Sequence, residues 1–220
     1  MTVALIHKRK KGLVGVEFYE EFEPAQLGLK VDAVGFWAID FKYCCEIGLK
    51  SGCVLNEEQI IQISRESELR RAYSRALWYL EHGDCSQKQL EEKLNRAFDL
   101  QTARRAAQKA VDSGFVDDRR YAGRLAESLI NIKKVSPKKA EYLLCSKGID
   151  RDVARTAVSE VEVDEVQSIL SLIEGKYKNR VQKPEDVQKT VAALARRGFS
   201  FADIRTAISA YNSDIEMYEE

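Results

Sequence analysis

The chain has 220 residues, 45% of them hydrophobic, enough to fill a core without a metal or disulfide staples. Thirty-five basic residues balance thirty-five acidic ones, so total charge singles out neither nucleic acid, membrane nor acidic substrate, and the distribution along the chain must be read instead. The five cysteines, Cys44, Cys45, Cys53, Cys85 and Cys145, include no C-x-x-C pair and no histidine at zinc-ligand spacing, so neither a disulfide framework nor a structural zinc site is expected.

The N-terminus, MTVALIHKRKKG, holds a first apolar run of only four residues, too short for a secretory or transmembrane segment, and nothing longer and apolar follows. A cytoplasmic location with reduced thiols is the expectation. Thr2 to His7, Val14 to Tyr19 and Gly35 to Phe41 are rich in β-branched and aromatic residues, with a basic turn from Lys8 to Gly12 between the first two. They predict a small β-rich unit over residues 1–56, closed by a short helix around Tyr43 to Ile47 that Gly48 and Gly52 stop.

Beyond Glu57 the strand signals vanish and helical signals return with a period near fifty residues. Leu94, Leu144 and Leu194 keep this interval, as do Gly148 and Gly198, and Ser86 and Ser136. Three repeats of three helices are predicted, over residues 57–116, 117–163 and 164–220. In the first, Leu69, Ala72, Tyr73, Ala76, Leu77 and Leu80 form a helical stripe ended by Gly83. Ser86 with Gln89 makes a capping box ahead of Leu90 and Leu94, and Thr102 is read as the cap of a helix carrying Ala103, Ala106, Ala107, Ala110 and Val111. In the second, Asp117 or Asp118 opens a helix bearing Tyr121, Ala122, Leu125, Leu129 and Ile132. Ser136-Pro137 starts the next, and Asp150 caps the last, with Val153, Ala154, Ala157, Val158 and Val161 inward. In the third, Ile169, Leu170 and Ile173 precede a loop, Pro184 opens a helix with Val187, Val191 and Leu194, and Ser200 with Asp203 caps one bearing Ile204, Ala207, Ile208 and Tyr211. One such unit buries little alone, so a stacked, elongated and curved array is expected, of the kind that binds extended partners.

Residues for catalysis are scarce. His7 and His82 have no nucleophile motif beside them and read as solvated, and no phosphate-binding glycine loop is present. Asp117-Asp118 at a helix start reads as a cap rather than a metal pair, because adjacent helical side chains diverge by about 100°. Trp78 and Tyr79 read as packing residues. The informative feature is charge: Lys88 to Arg151 holds fifteen basic against nine acidic residues, whereas Asp152 to Glu220 holds nine against thirteen. Within the basic stretch, Lys88, Lys93, Arg96, Arg104, Arg105, Arg119, Arg120, Arg124, Lys133, Lys134, Lys138 and Lys139 are the candidate partner-binding residues. They do not interleave with aromatics in the manner of a base-stacking groove.

The segments Ala76-Leu77-Trp78-Tyr79-Leu80, Ser86, Leu90, Lys93-Leu94 and Gly114 through Ala122 resemble the first-repeat signature of the RecX family. Leu144 with Gly148-Ile149, and Arg196-Arg197-Gly198-Phe199-Ser200, resemble the later signatures. The likeness runs from about Arg70 to Tyr211, and the N-terminal portion resembles the extension of longer family members. Two positions depart from the pattern, Ala97-Phe98 and Val135-Ser136-Pro137, which lack the glycine usual at those turns. The resemblance implies a regulator that binds RecA protein and lodges in its filament on single-stranded DNA, limiting filament growth, ATP hydrolysis and strand exchange. A monomer with no cofactor, no metal, no catalytic group and no membrane attachment is expected. Two other readings stand beside it: weak direct contact of the basic repeats with single-stranded DNA, and a generic helical-repeat scaffold.

Overall fold

The computed structural model describes residues 1–181 and 184–218, which fall into two compact units, Met1–Val116 and Asp117–Glu220. In the first, β1 (Val3–Lys8) pairs antiparallel with β2 (Leu13–Phe18), and β2 with β3 (Trp37–Asp40), in the order β1-β2-β3. The basic turn closes as one 3-10 turn at Lys10–Gly12. Strand alternation places Val14 opposite Ile39 and Val16 opposite Trp37, all buried on one face. Asp40 then caps the short α1 (Phe41–Glu46) by accepting from the Tyr43 N–H at 3.0 Å.

The long α2 (Glu57–Glu81) starts with a reciprocal Asn56–Gln59 capping box and serves two cores in succession. Its first half takes the sheet. Ile60 is fully buried there, Trp37 Nε1 donates to Ser64 Oγ at 2.5 Å, and the Asp40 N–H donates to Ser67 Oγ at 2.7 Å. Its second half, with Leu69, Ala72 and Ala76, packs on α4 (Leu100–Asp112), where Ala103, Ala106, Ala107 and Ala110 let the two backbones approach. Leu90 and Leu94 of α3 (Gln87–Leu94) complete that cluster.

The second unit repeats this plan. α5 (Asp118–Glu127), α6 (Pro137–Ser146) and α7 (Arg151–Ser159) enclose Ala122, Ile130, Leu144 and Ala154. α8 (Glu165–Leu172), α9 (Lys178–Val181), α10 (Pro184–Arg196) and α11 (Phe201–Tyr218) enclose Ile169, Tyr177, Leu194 and Ile204. In every repeat the first helix packs on the last and the last on the middle one. Leu94, Leu144 and Leu194 are all fully buried, each contributing roughly 2 kcal/mol of burial free energy. Ser86 and Ser136 cap through their hydroxyls, and Asp117 accepts from the Arg120 N–H at 3.0 Å, which is the capping role expected of that acidic pair.

The structure departs from the sequence-based expectations in four places. Thr102 does not cap α4; its N–H donates to Asp99 Oδ1 at 3.0 Å, and Asp99 is the cap, because an aspartate three residues ahead reaches that donor. Ile132 faces out, 78% exposed, because the chain winds into a π turn at Ser128–Ile132 whose extra residue rotates it off the inward stripe. The loop expected after Ile173 is instead a second π turn, Ile173–Tyr177, running into α9 and burying Tyr177 and Val181. Trp78 is 46% exposed, with the Arg75 guanidinium 5.5 Å and the His82 ring 4.3 Å away, whereas its neighbour Tyr79 packs inward as expected.

Within the second unit, two repeats are joined at one close approach. The Ser136 N–H donates to the Arg197 carbonyl at 3.0 Å, and the Arg197 guanidinium donates back to the Lys133 and Lys134 carbonyls. Lys134 takes φ +50°, so the turn is made without the usual glycine. Gly198, at φ +94°, sits against α6, where a Cβ would come within 2.6 Å of Lys139 Cβ and closer still to Ser136 Oγ. Gly198→Ala is therefore expected to lose about 2 kcal/mol or more. Gly123→Ala, inside α5 with open space around it, should gain roughly 0.5–1 kcal/mol. Chemical denaturation of the two variants checks this, and equal effects would rule out the close approach.

A second expectation concerns Asp32, whose carboxylate receives Arg9 Nε at 2.6 Å and the N–H groups of Val34 and Phe36 at 2.8 and 3.0 Å. Burial pushes this carboxyl up, but the three donors outweigh burial and hold it below the ordinary value. A carboxylate with a depressed folded pKa stabilises fully above its unfolded value, near about 3.9, and the stabilisation is lost as pH falls through the folded value. Asp32→Asn should thus cost roughly 1–3 kcal/mol at neutral pH, with the gap to the wild type narrowing below about pH 4. Urea titrations at several pH values measure it; a gap independent of pH contradicts the assignment.

Candidate partner-binding surface

The candidate basic residues are not one patch in either unit. In the first unit, Lys88 and Arg96 are exposed on and just after α3, and Lys93 lies over the Tyr79 ring at 5.6 Å, on the second half of α2. Arg104 and Arg105 are exposed on α4. Arg105 opens instead onto a groove it shares with Tyr43 of α1 and with Gln62, Arg65 and Arg70 of α2. Arg70 is committed there, donating to Glu46 at 2.5 Å and Glu66 at 3.3 Å and stacking on Tyr43 at 4.5 Å. Tyr79 lies nine residues beyond Arg70, so the two groups are separated by about 13 Å along α2.

In the second unit, Arg119, Arg120 and Arg124 lie along the first turns of α5. Arg119 lines a groove between α5 and α7 with Asp152, Thr156 and Glu160, a mixed-charge setting rather than a positive one. Lys133 and Lys134, at the other end of the α5 segment, follow Arg119 by fourteen residues, about 20 Å of helix.

Lys133, Lys134, Lys138 and Lys139 do come together, at the joint between the second and third repeats. The Arg197 guanidinium is held on the Lys133 and Lys134 carbonyls, and Lys138 and Lys139 begin α6 directly across from Gly198. Lys139 also stands over the exposed Tyr142 ring at 4.8 Å. Among the described residues, none of these four lysines has a carboxylate partner, and the nearby Glu141 is taken by Arg151 at 3.6 Å. Such a concentration of unpaired positive charge on an ordered turn favours a polyanionic or acidic surface. Arg197 belongs to this cluster and was not among the residues selected from local charge. The fifty-residue register was the available signal, since it places Arg197-Gly198 at the same repeat position as Lys147-Gly148.

No helix among the described residues is long and apolar enough to cross a membrane. Residues 117–158 match the family model for the second three-helix domain of RecX, and residues 162–208 match the model for its third. The chain is 29% identical over 188 residues to the regulatory protein RecX of Clostridioides difficile (strain 630), covering 84% of this chain and 88% of that one. It is 27% identical over 177 residues to the regulatory protein RecX of Leuconostoc citreum (strain KM20), covering 79% and 66%. Among solved structures, a crystal structure of a regulatory protein RecX shares the fold at TM-score 0.65 and 20% identity, over 94% of this chain and 98% of that one. RecX from Lactobacillus salivarius follows at 0.55 and 25%, over 66% and 97%. Two repeats matched one by one, relatives aligned along most of the chain and a shared fold make the chain similar to the RecX regulatory proteins.

Proposed function

We propose that this chain binds RecA protein and its filament on single-stranded DNA in the cytoplasm, and thereby limits filament growth, ATP hydrolysis and strand exchange in recombination and repair. The observation that carries the reading is the lysine cluster at the joint of the second and third repeats, in a chain similar to regulatory proteins. Regulation of this kind needs complementary charge and several contacts acting together, and it needs no catalytic group. Exposed lysines steer encounter with an acidic protein surface and raise the association rate, while adding little to folding stability. The dispersed residues Lys88, Lys93, Arg96, Arg104, Arg105, Arg119, Arg120 and Arg124 are assigned a secondary share, as separate contacts to successive protomers of a repeating partner.

Direct binding of DNA is the second reading, favoured by the same lysines lacking carboxylate partners among the described residues. It makes a different demand, because binding to naked single strands through Z phosphates weakens with salt at a logarithmic slope of about −0.7Z.

The deciding measurement is DNA-stimulated ATP hydrolysis by RecA of the same organism, titrated with this chain below the DNA-site concentration. Inhibition at substoichiometric amounts that persists with excess single strand is expected. Relief of inhibition by added strand would transfer the case to direct DNA binding, and no inhibition at equimolar protein would leave only a scaffold. Replacing Lys133, Lys134, Lys138 and Lys139 together by glutamine is expected to raise the half-inhibitory concentration at least roughly tenfold while leaving the melting temperature nearly unchanged.

A further inference from the structure

The three repeats can be compared position by position along the trough between the middle and last helix of each. In the second repeat, Glu141 of α6 and Arg151 of α7 bridge the trough with an ion pair at 3.6 Å. In the first, Gln87 of α3 donates to Glu91 at 3.4 Å and to Gln108 of α4 at 3.1 Å, so polar side chains span it again, beside the exposed Leu100. In the third, fifty residues after Glu141 and Arg151, stand Val191 and Phe201. With Val187, Ile204 and Ile208 they line an open apolar groove of about 310 Å³, edged by Arg205, and Phe201 is 66% exposed.

The repeat's own core does not require this exchange. Leu194, Ile204 and Ala207 are already fully or almost fully buried beneath the groove. Phe201, two-thirds exposed, costs solubility and contributes little to the fold unless something covers it, whereas Val191 is partly buried against the core. The arginine at the rim recurs in each repeat, as Arg104, Arg155 and Arg205. Arg155 has Asp152 at 3.7 Å, whereas Arg205 has no carboxylate partner among the described residues.

We propose that the groove between α10 and α11 docks an amphipathic helix of a protein partner, one that presents apolar side chains on two successive turns with a carboxylate beside them. Phe201, Ile204, Arg205 and Ile208 fall at i, i+3, i+4 and i+7 on α11, a wall about 10 Å long that matches two turns of a facing helix. Val187 and Val191, one turn apart on α10, form the other wall. The guanidinium of Arg205, without a carboxylate partner among the described residues, selects the acidic helix over a basic one. The inference deepens the regulatory reading and rests on it for the identity of the partner as RecA. Surface lysines speed association, while a desolvated apolar anchor lengthens the life of the complex.

The test uses the full chain and the double variant Val191→Glu with Phe201→Arg, which writes into the third repeat the ion pair that the second already carries. Circular dichroism and melting confirm that the variant is folded. The probes are RecA filaments and two labelled helical peptides with leucines at i, i+3, i+4 and i+7, one bearing glutamates at its flanks and the other lysines. The expected result is that the full chain prefers the acidic peptide and that the variant binds it at least roughly tenfold more weakly, with a matching loss on filaments. Failure to bind either peptide, equal binding of both, or equal binding by the variant overturns the groove whatever happens with RecA. Acidic-peptide binding without any filament binding keeps the groove and removes RecA as the partner. Self-association of the full chain that the variant abolishes assigns the groove to a second copy and overturns the proposal.

Discussion

The second unit depends on a backbone contact only a few atoms wide. Ser136 is buried, its hydroxyl caps α6, its N–H is spent on the Arg197 carbonyl, and Gly198 passes so near that it has no room for a Cβ. The Ser136 hydroxyl is satisfied within α6 and its N–H across the joint, so the contact carries little desolvation penalty. The guanidinium of Arg197 closes it from the other side by donating hydrogen bonds to the Lys133 and Lys134 carbonyls. Two repeats with separate hydrophobic cores are thereby fixed in one register, and the same turn orders four lysines.

That arrangement separates two kinds of surface that a charge count would merge. At the joint the lysines have no carboxylate partner among the described residues, whereas Arg119 on α5 shares its groove with Asp152 and Glu160, and Arg70 on α2 is neutralised by Glu46 and Glu66. A lysine whose neighbours are carbonyls keeps its field for a partner; an arginine between two glutamates does not. The third repeat then differs from the second in chemistry rather than architecture, carrying valine and phenylalanine where the second has a surface ion pair.

The repeat plan was legible because its determinants are local. Caps such as Ser86, Asp117 and Asp150 act over three residues, and the leucines at 94, 144 and 194 mark the same buried site three times. Where the reading missed, a nearby competitor decided the outcome. Asp99 reached the Thr102 N–H first, and the π turns at Ser128–Ile132 and Ile173–Tyr177 added a residue that a strict 3.6-residue period cannot anticipate. Trp78 has the composition of a core residue, but its position on α2 turns it toward Arg75 and His82.

The sequence by itself therefore determined the helical repeats, the β-rich N-terminal unit, the caps and the uneven charge, since each follows from neighbours within a few residues or from a fixed period. Only the tertiary structure decided which cations stand together. Lys133 and Arg197 are 64 residues apart, and no local rule says that a guanidinium will settle on that carbonyl rather than on an acid. It likewise decided that α2 is shared between a sheet and a helical core, and that Val191 ends only partly buried, across a groove from the exposed Phe201. Periodicity reports that a side chain is apolar and on the inward stripe; whether another element arrives to cover it depends on packing across the whole unit.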